Sequence, residues 1–191
     1  MKLILWQTFP PKIKRIMAII SFFLLAIIIT IAGTLTPLSN EDANSINNEL
    51  EQLRQDVSVQ YIFGNNFMLC LAMFVPCVGP FFGGYVLYNT GVVIAAESIA
   101  NDLPPLIVLF TLFIFPFTWL EFFAYSTAFA ESIWLIRRIM QHRGRKEILN
   151  ACVFISICAM LLLVAAIIEV ILIKALTKPD SSLFLSNLFN I

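Results

Sequence analysis

The sequence predicts an all-α protein: a polytopic transmembrane helix bundle with about five crossings, a candidate re-entrant half-helix and an external amphipathic helix. Three observations lead there. Of 191 residues, 60% are hydrophobic and 13% charged, whereas a soluble domain carries about 25% charged residues. Long uncharged runs recur, each near the length needed to cross the hydrocarbon at about 1.5 Å per residue. Most of the nine prolines and seven glycines fall inside or beside those runs, a placement tolerated where helices pack on other helices in lipid.

Residues 1–15 read as a basic lead-in on the cytoplasmic side, with Lys2, Lys12, Lys14 and Arg15 beside Trp6, Phe9 and Pro10-Pro11. Residues 16–35 hold the first span, which is uncharged from Ile16 to Thr34. The small residues Ala32-Gly33-Thr34 suit a signal-peptide cleavage site, but the run is long for a cleaved apolar region, so a retained anchor is the better reading. Residues 36–60 are the one sizeable polar block. Ile46, Leu50, Leu53 and Val57 follow helical spacing, with Glu41, Asp42, Glu49, Glu51 and Asp56 on other faces. Ser39 or Asn40 supplies an N-cap ahead of acids in the first turn. This is an amphipathic helix over the outer mouth of the bundle, serving as a linker or as a docking surface.

Residues 61–175 form the helical membrane core. Tyr61 to Val75 is apolar but short, with Gly64-Asn65-Asn66 near its start. Pro76-Cys77-Val78-Gly79-Pro80 turns the chain, because proline lacks a donor and glycine permits the turn. Phe81 to Ala100 crosses back with Gly84, Gly91 and Ala95 on one side, small residues that let helices approach closely. Asn101 to Pro105 is the next external turn. Leu106 to Phe115 is short and is stopped or kinked by Pro116. A helical pattern then continues to Met140, and the last span runs from Ile148 to Ile173, with Glu169 near its end. Residues 176–191 form an external tail.

The stretch from Pro116 to Leu135 is where the chemistry concentrates. A charged side chain in hydrocarbon costs roughly 2.5–3.5 kcal/mol or more, so Glu121 and Glu131 are expected to face protein or water. Glu121, Tyr125, Ala128 and Glu131 or Ser132 fall within about 80° of one another on a helix. Both acids are therefore expected on one polar seam, joined by Asn89, Glu97 and Pro116. Ala124, Ala128 and Ser132, four residues apart, make a small-residue packing strip.

Charge sets the topology. Arg137, Arg138, His142, Arg143, Arg145 and Lys146 form a basic loop, a place for lipid headgroups or simply a topology signal. With that loop and residues 1–15 inside, nine of the twelve Lys and Arg are cytoplasmic, as positive-inside bias requires. Two full crossings within residues 104–140 would put the basic loop outside. Residues 104–116 are therefore a re-entrant half-helix or the bent start of one long span. The result is five crossings in the cell membrane, N-terminus in and C-terminus out, with six as the alternative.

Cys70, Cys77, Cys152 and Cys158 form no Cys-x-x-Cys pair, and the lone His142 is remote from them in sequence, so they read as free thiols. No metal site, cofactor or catalytic set is indicated, since there is no Glu-x-x-His pattern and no nucleophile–base pair. No free basic domain exists to bind nucleic acid.

The order of Asn65-Asn66 in a short span, a glycine-rich turn, Asn89-Thr90-Gly91 in the next span, and Pro116 followed by Glu121 and Ala124 resembles the stage II sporulation protein M family. The similarity covers roughly residues 15–175. The family's Pro-His-Gly…Glu-x-x-Ala segment is matched at Pro116, Glu121 and Ala124, while Phe117 and Thr118 replace its His and Gly. The resemblance implies about five spans and a membrane-embedded scaffold of a larger assembly.

Three readings of function follow. The first is a non-catalytic scaffold or accessory subunit among other membrane subunits, for example packed around a membrane oxidoreductase such as an archaeal ammonia monooxygenase. The second is a small transporter or channel, whose interrupted segments and midplane acids resemble those of secondary carriers. A membrane enzyme comes last, for want of a catalytic constellation.

Overall fold

The computed structural model describes residues 10–54, 58–141 and 144–177. Among them are seven helices and no strand: α1 (Pro11–Thr34), α2 (Asn40–Arg54), α3 (Val59–Met73), α4 (Val78–Ala100), α5 (Pro105–Ile114), α6 (Pro116–Met140) and α7 (Gly144–Thr177). Val57, His142, Arg143, residues 1–9 of the lead-in and residues 178–191 of the tail lie outside the described residues.

Local chemistry explains the boundaries. Pro11 opens α1 ahead of the uncharged run, since a first-turn proline lacks a donor that has no helical partner anyway. Ser39 caps α2: its hydroxyl accepts from the Asp42 amide at 3.1 Å and donates to the Asp42 carboxylate at 2.6 Å. Ser58 caps α3 by accepting from the Tyr61 amide at 3.2 Å. Between α3 and α4 the chain reverses through Cys77, at φ 68° and ψ −45°. The Val78 amide donates to the Pro76 carbonyl at 2.8 Å there, which closes a γ-turn. Pro80 then falls in the first turn of α4 and does not interrupt it.

Three helical segments, Ile13–Thr34, Val78–Ala100 and Ile148–Ala175, are long and apolar enough to cross a membrane. The pair α5–α6 makes a fourth if counted as one span, but the two helices meet at 91° across Phe115. The expected five crossings exceed this number because α3, with 15 residues, is shorter than a full span needs.

Contacts fix the relative directions. Phe22 stacks on Phe129, and Phe23 meets Trp119, Phe122 and Phe123. Arg15 lies against Glu131 and Trp134. Thus α6 runs antiparallel to α1. The pairs Asn66–Glu121, Cys70–Ala124 and Val75–Ser132 set α3 parallel to α6. One end of the bundle therefore gathers the start of α1, the α3–α4 turn and the end of α6. At the other end α2 crosses α4, where the Asn47 side chain donates to the Ala96 carbonyl at 3.0 Å.

The core is thin and central. Cys70, Met73, Leu87, Phe122, Ala124, Ala128, Phe129, Cys158 and Leu162 are buried in it. Its tightest crossing joins α1 to α4. A Cβ added to Gly91 would collide with the Thr30 carbonyl and lie 2.8 Å from the Gly33 Cα. Thr30 and Thr34 line this crossing fully buried, their hydroxyls donating to Ala26 and Thr30 carbonyls one turn back. Gly84, expected on the packing side of α4 with Gly91 and Ala95, faces open space instead. The neighbouring Gly83 is the buried one, against Phe129 and Met73.

Candidate functional site

Among the described residues, helix α6 carries most of the buried polar side chains, and its start shows how. The 91° break leaves the last carbonyls of α5 without helical donors. Thr118 donates its hydroxyl to the Leu112 carbonyl at 2.9 Å, and Trp119 its indole N–H to the Phe113 carbonyl at 2.7 Å. Pro116, at the first position of α6, has no donor to lose. The Leu112 carbonyl also accepts from the Phe115 amide at 3.2 Å, so backbone and two side chains of the first turn of α6 together hold the bend.

One turn further, Glu121 accepts a hydrogen bond from the Asn66 amide of α3 at 2.6 Å. Glu169 of α7 lies within electrostatic reach of both Glu121 and Tyr125. Tyr125 itself is buried in the core. This upper station is level with the middle of the α1 span, since the adjacent Phe122 and Phe123 both contact Phe23.

The lower station is Glu131, which is 2% exposed. Its Oε1 lies 3.7 Å from Arg15 Nε and accepts no hydrogen bond among the described residues. The Arg15 guanidinium also sits 5.7 Å from the centre of Trp134 and 5.6 Å from that of Phe154. Arg138 covers Trp134 as well, at 5.9 Å, and donates to Gln141. Aromatic faces attract guanidinium groups, so Trp134 holds two cations at this end of the bundle.

The two acids do not share one seam. They are ten residues apart along α6, about 15 Å at the helical rise. Between them lie Phe122, Ala124, Ala128 and Phe129, all in the apolar core. Asn89, half-buried on α4, bonds to neither acid, and Glu97 lies near the far end of α4. The strip of Ala124, Ala128 and Ser132 is fully buried. The Ala124 carbonyl receives both the Cys70 and the Cys158 thiol, at 3.9 and 3.5 Å, and Ser132 donates to the Val75 carbonyl at 2.9 Å. Arg137 is exposed at the end of α6, and Arg145 and Lys146 fall in the first turn of α7.

Asn66, Arg15, Gly33, Thr118 and Trp119 were not singled out by the sequence pattern. Asn66 stood in it only as half of an Asn-Asn pair, and Arg15 as one charge in a basic segment. Among the described residues no three His, Cys, Asp or Glu side chains gather as metal ligands would.

Fold and site together define a class, that of helical integral membrane proteins whose few interior charges are answered by neighbouring helices. No family model, curated protein or solved structure matches the chain.

Proposed function

We propose that the chain is a non-catalytic integral membrane scaffold or accessory subunit of a larger membrane protein complex. The observation that carries this reading is that both acids of α6 find their partners within the chain. Glu121 is held by Asn66 and Glu131 by Arg15, and the buried Ser126 and Thr127 hydroxyls between them donate back to the Phe122 and Phe123 carbonyls of their own helix, so these polar groups tie the structure together. The rest of the molecule is consistent with packing against neighbours: only 17% of the apolar window of α1 is buried. The resemblance to the stage II sporulation protein M family, itself a membrane scaffold, points the same way.

On this reading the chain crosses the cell membrane five times, through α1, α3, α4, the bent α5–α6 pair and α7. The N-terminus is cytoplasmic and the C-terminus external, by positive-inside bias. Extraction in a mild detergent followed by mass spectrometry tests the function. The same partner chains should return in fixed ratio, and an isolated chain would count against the proposal.

A second reading, a small transporter, is favoured by one feature: Asn66 bonds Glu121 beside a broken helix, with Glu169 within electrostatic reach of Glu121, as in carriers with discontinuous spans. If it holds, Glu121→Gln abolishes flux in liposomes while the protein stays folded; unchanged flux removes Glu121 from any transport mechanism.

A further inference from the structure

The outward stripe of α3 carries an amide where lipid would be expected. Tyr61 and Met68 are 47% and 63% exposed, and Gly64 and Asn65 are exposed between them. At 100° per residue these four positions lie on one side of the helix. Asn65 adjoins Asn66, whose partner Glu121 is level with the middle of the α1 span. Its Nδ2 reaches its helix neighbour Asn66 Oδ1 at 3.5 Å, a marginal contact. On the five-crossing reading proposed above, on which this inference rests, α3 lies in the bilayer; an amide facing acyl chains at that depth lacks water to bond with, and the remedy in membranes is a hydrogen bond to another helix.

We propose that this stripe binds a second copy of the chain, with the two Asn65 amides hydrogen-bonding to each other across a twofold axis along the membrane normal. Two copies inserted in the same orientation can bring α3 against α3 in parallel, so that each residue near the axis meets its own counterpart. That symmetry selects side chains that complement themselves. An amide does, having an N–H donor and a carbonyl acceptor, whereas two carboxylates or two ammonium groups would repel. Gly64 completes the fit. A Cβ at that position has nothing within 4 Å, and without one the facing backbone can approach closely enough for the amides to meet. Lipid as the occupant would leave Asn65 with only its helix neighbour. The proposal stands whether or not other subunits are present.

Disulfide trapping in the membranes of expressing cells tests it. The full chain carries Cys70, Cys77, Cys152 and Cys158 replaced by alanine, plus one new thiol: Met68→Cys on the stripe, or Ile20→Cys on the exposed side of α1. Mild oxidation should link Met68→Cys into a species of twice the chain mass and leave Ile20→Cys monomeric. Adding Asn65→Leu should cut the dimer yield roughly five-fold, and Asn65→Gln should preserve it. Asn65 faces outward, so neither change threatens the fold, and a matching detergent-extracted yield confirms that. Monomer alone at position 68, equal linking at 20 and 68, an adduct with a different chain, or indifference to Asn65→Leu would each overturn the proposal.

Discussion

Asn66 of α3 donates to Glu121 of α6 at 2.6 Å, and this bond ties the 15-residue α3 to the helix that carries both Glu121 and Glu131. Interhelical hydrogen bonds in membranes are modest individually. The bond therefore predicts a coupling of about 1 kcal/mol in a double-mutant cycle of Asn66→Val and Glu121→Leu, measured by unfolding in detergent. Additive effects would mean that the two side chains are adjacent but independent.

Arg15 and Glu131 predict an asymmetry. Glu131 is sealed in, with its side chain 1% exposed, whereas that of Arg15 is 19% exposed. Arg15→Leu strands a buried carboxylate and should destabilise by about 3 kcal/mol. Glu131→Gln leaves a guanidinium that can turn toward the headgroups along its long stem, so its effect should be smaller. Arg15→Leu with Glu131→Leu should recover most of the loss. Equal losses for both single variants, read by thermal unfolding, would contradict this division.

The α1–α4 crossing predicts different outcomes for glycines on one helix. Gly91→Leu drives a side chain into the Thr30 carbonyl and the Gly33 Cα, and should cost about 3 kcal/mol as an overpacked contact. Gly84→Leu enters open space and should stay within about 0.5 kcal/mol of the parent. The parallel measurement of both in detergent is the check.

Cys77 sits at positive φ, 68°, where a side chain is strained and glycine is not. Cys77→Gly should therefore stabilise the α3–α4 turn by about 1 kcal/mol, and Cys77→Val should destabilise it. A reversed order in chemical denaturation would place the turn in another conformation.

Particular residues show how far a linear reading reaches. The uncharged run from Ile16 to Thr34, the polar block around Glu41 and Asp42, and the small-residue strip at Ala124, Ala128 and Ser132 are periodic or compositional signals, which neighbours in sequence express together. The helix starts at Val78 and Pro116 were nearly legible for the same reason, since proline and glycine act locally. Glu121 and Glu131 are legible as acids that need protein partners, but their shared azimuth alone put them on one seam. It took no account of the 15 Å or so between them along the axis, or of which helix meets each.

The sequence by itself determined that this is an all-α chain with several membrane-length apolar helices, because hydrocarbon admits only segments that satisfy their own backbone. It also determined that the acids of α6 would be sheltered. Only the tertiary structure decided what shelters them, Asn66 for one and Arg15 for the other, and that α5 and α6 meet at 91°. The physical reason is that burial is a property each residue declares by its chemistry, while a partner is chosen by the crossing of helices far apart in the chain. Gly33 meets Gly91, 58 positions further along the chain, for want of any side chain between them.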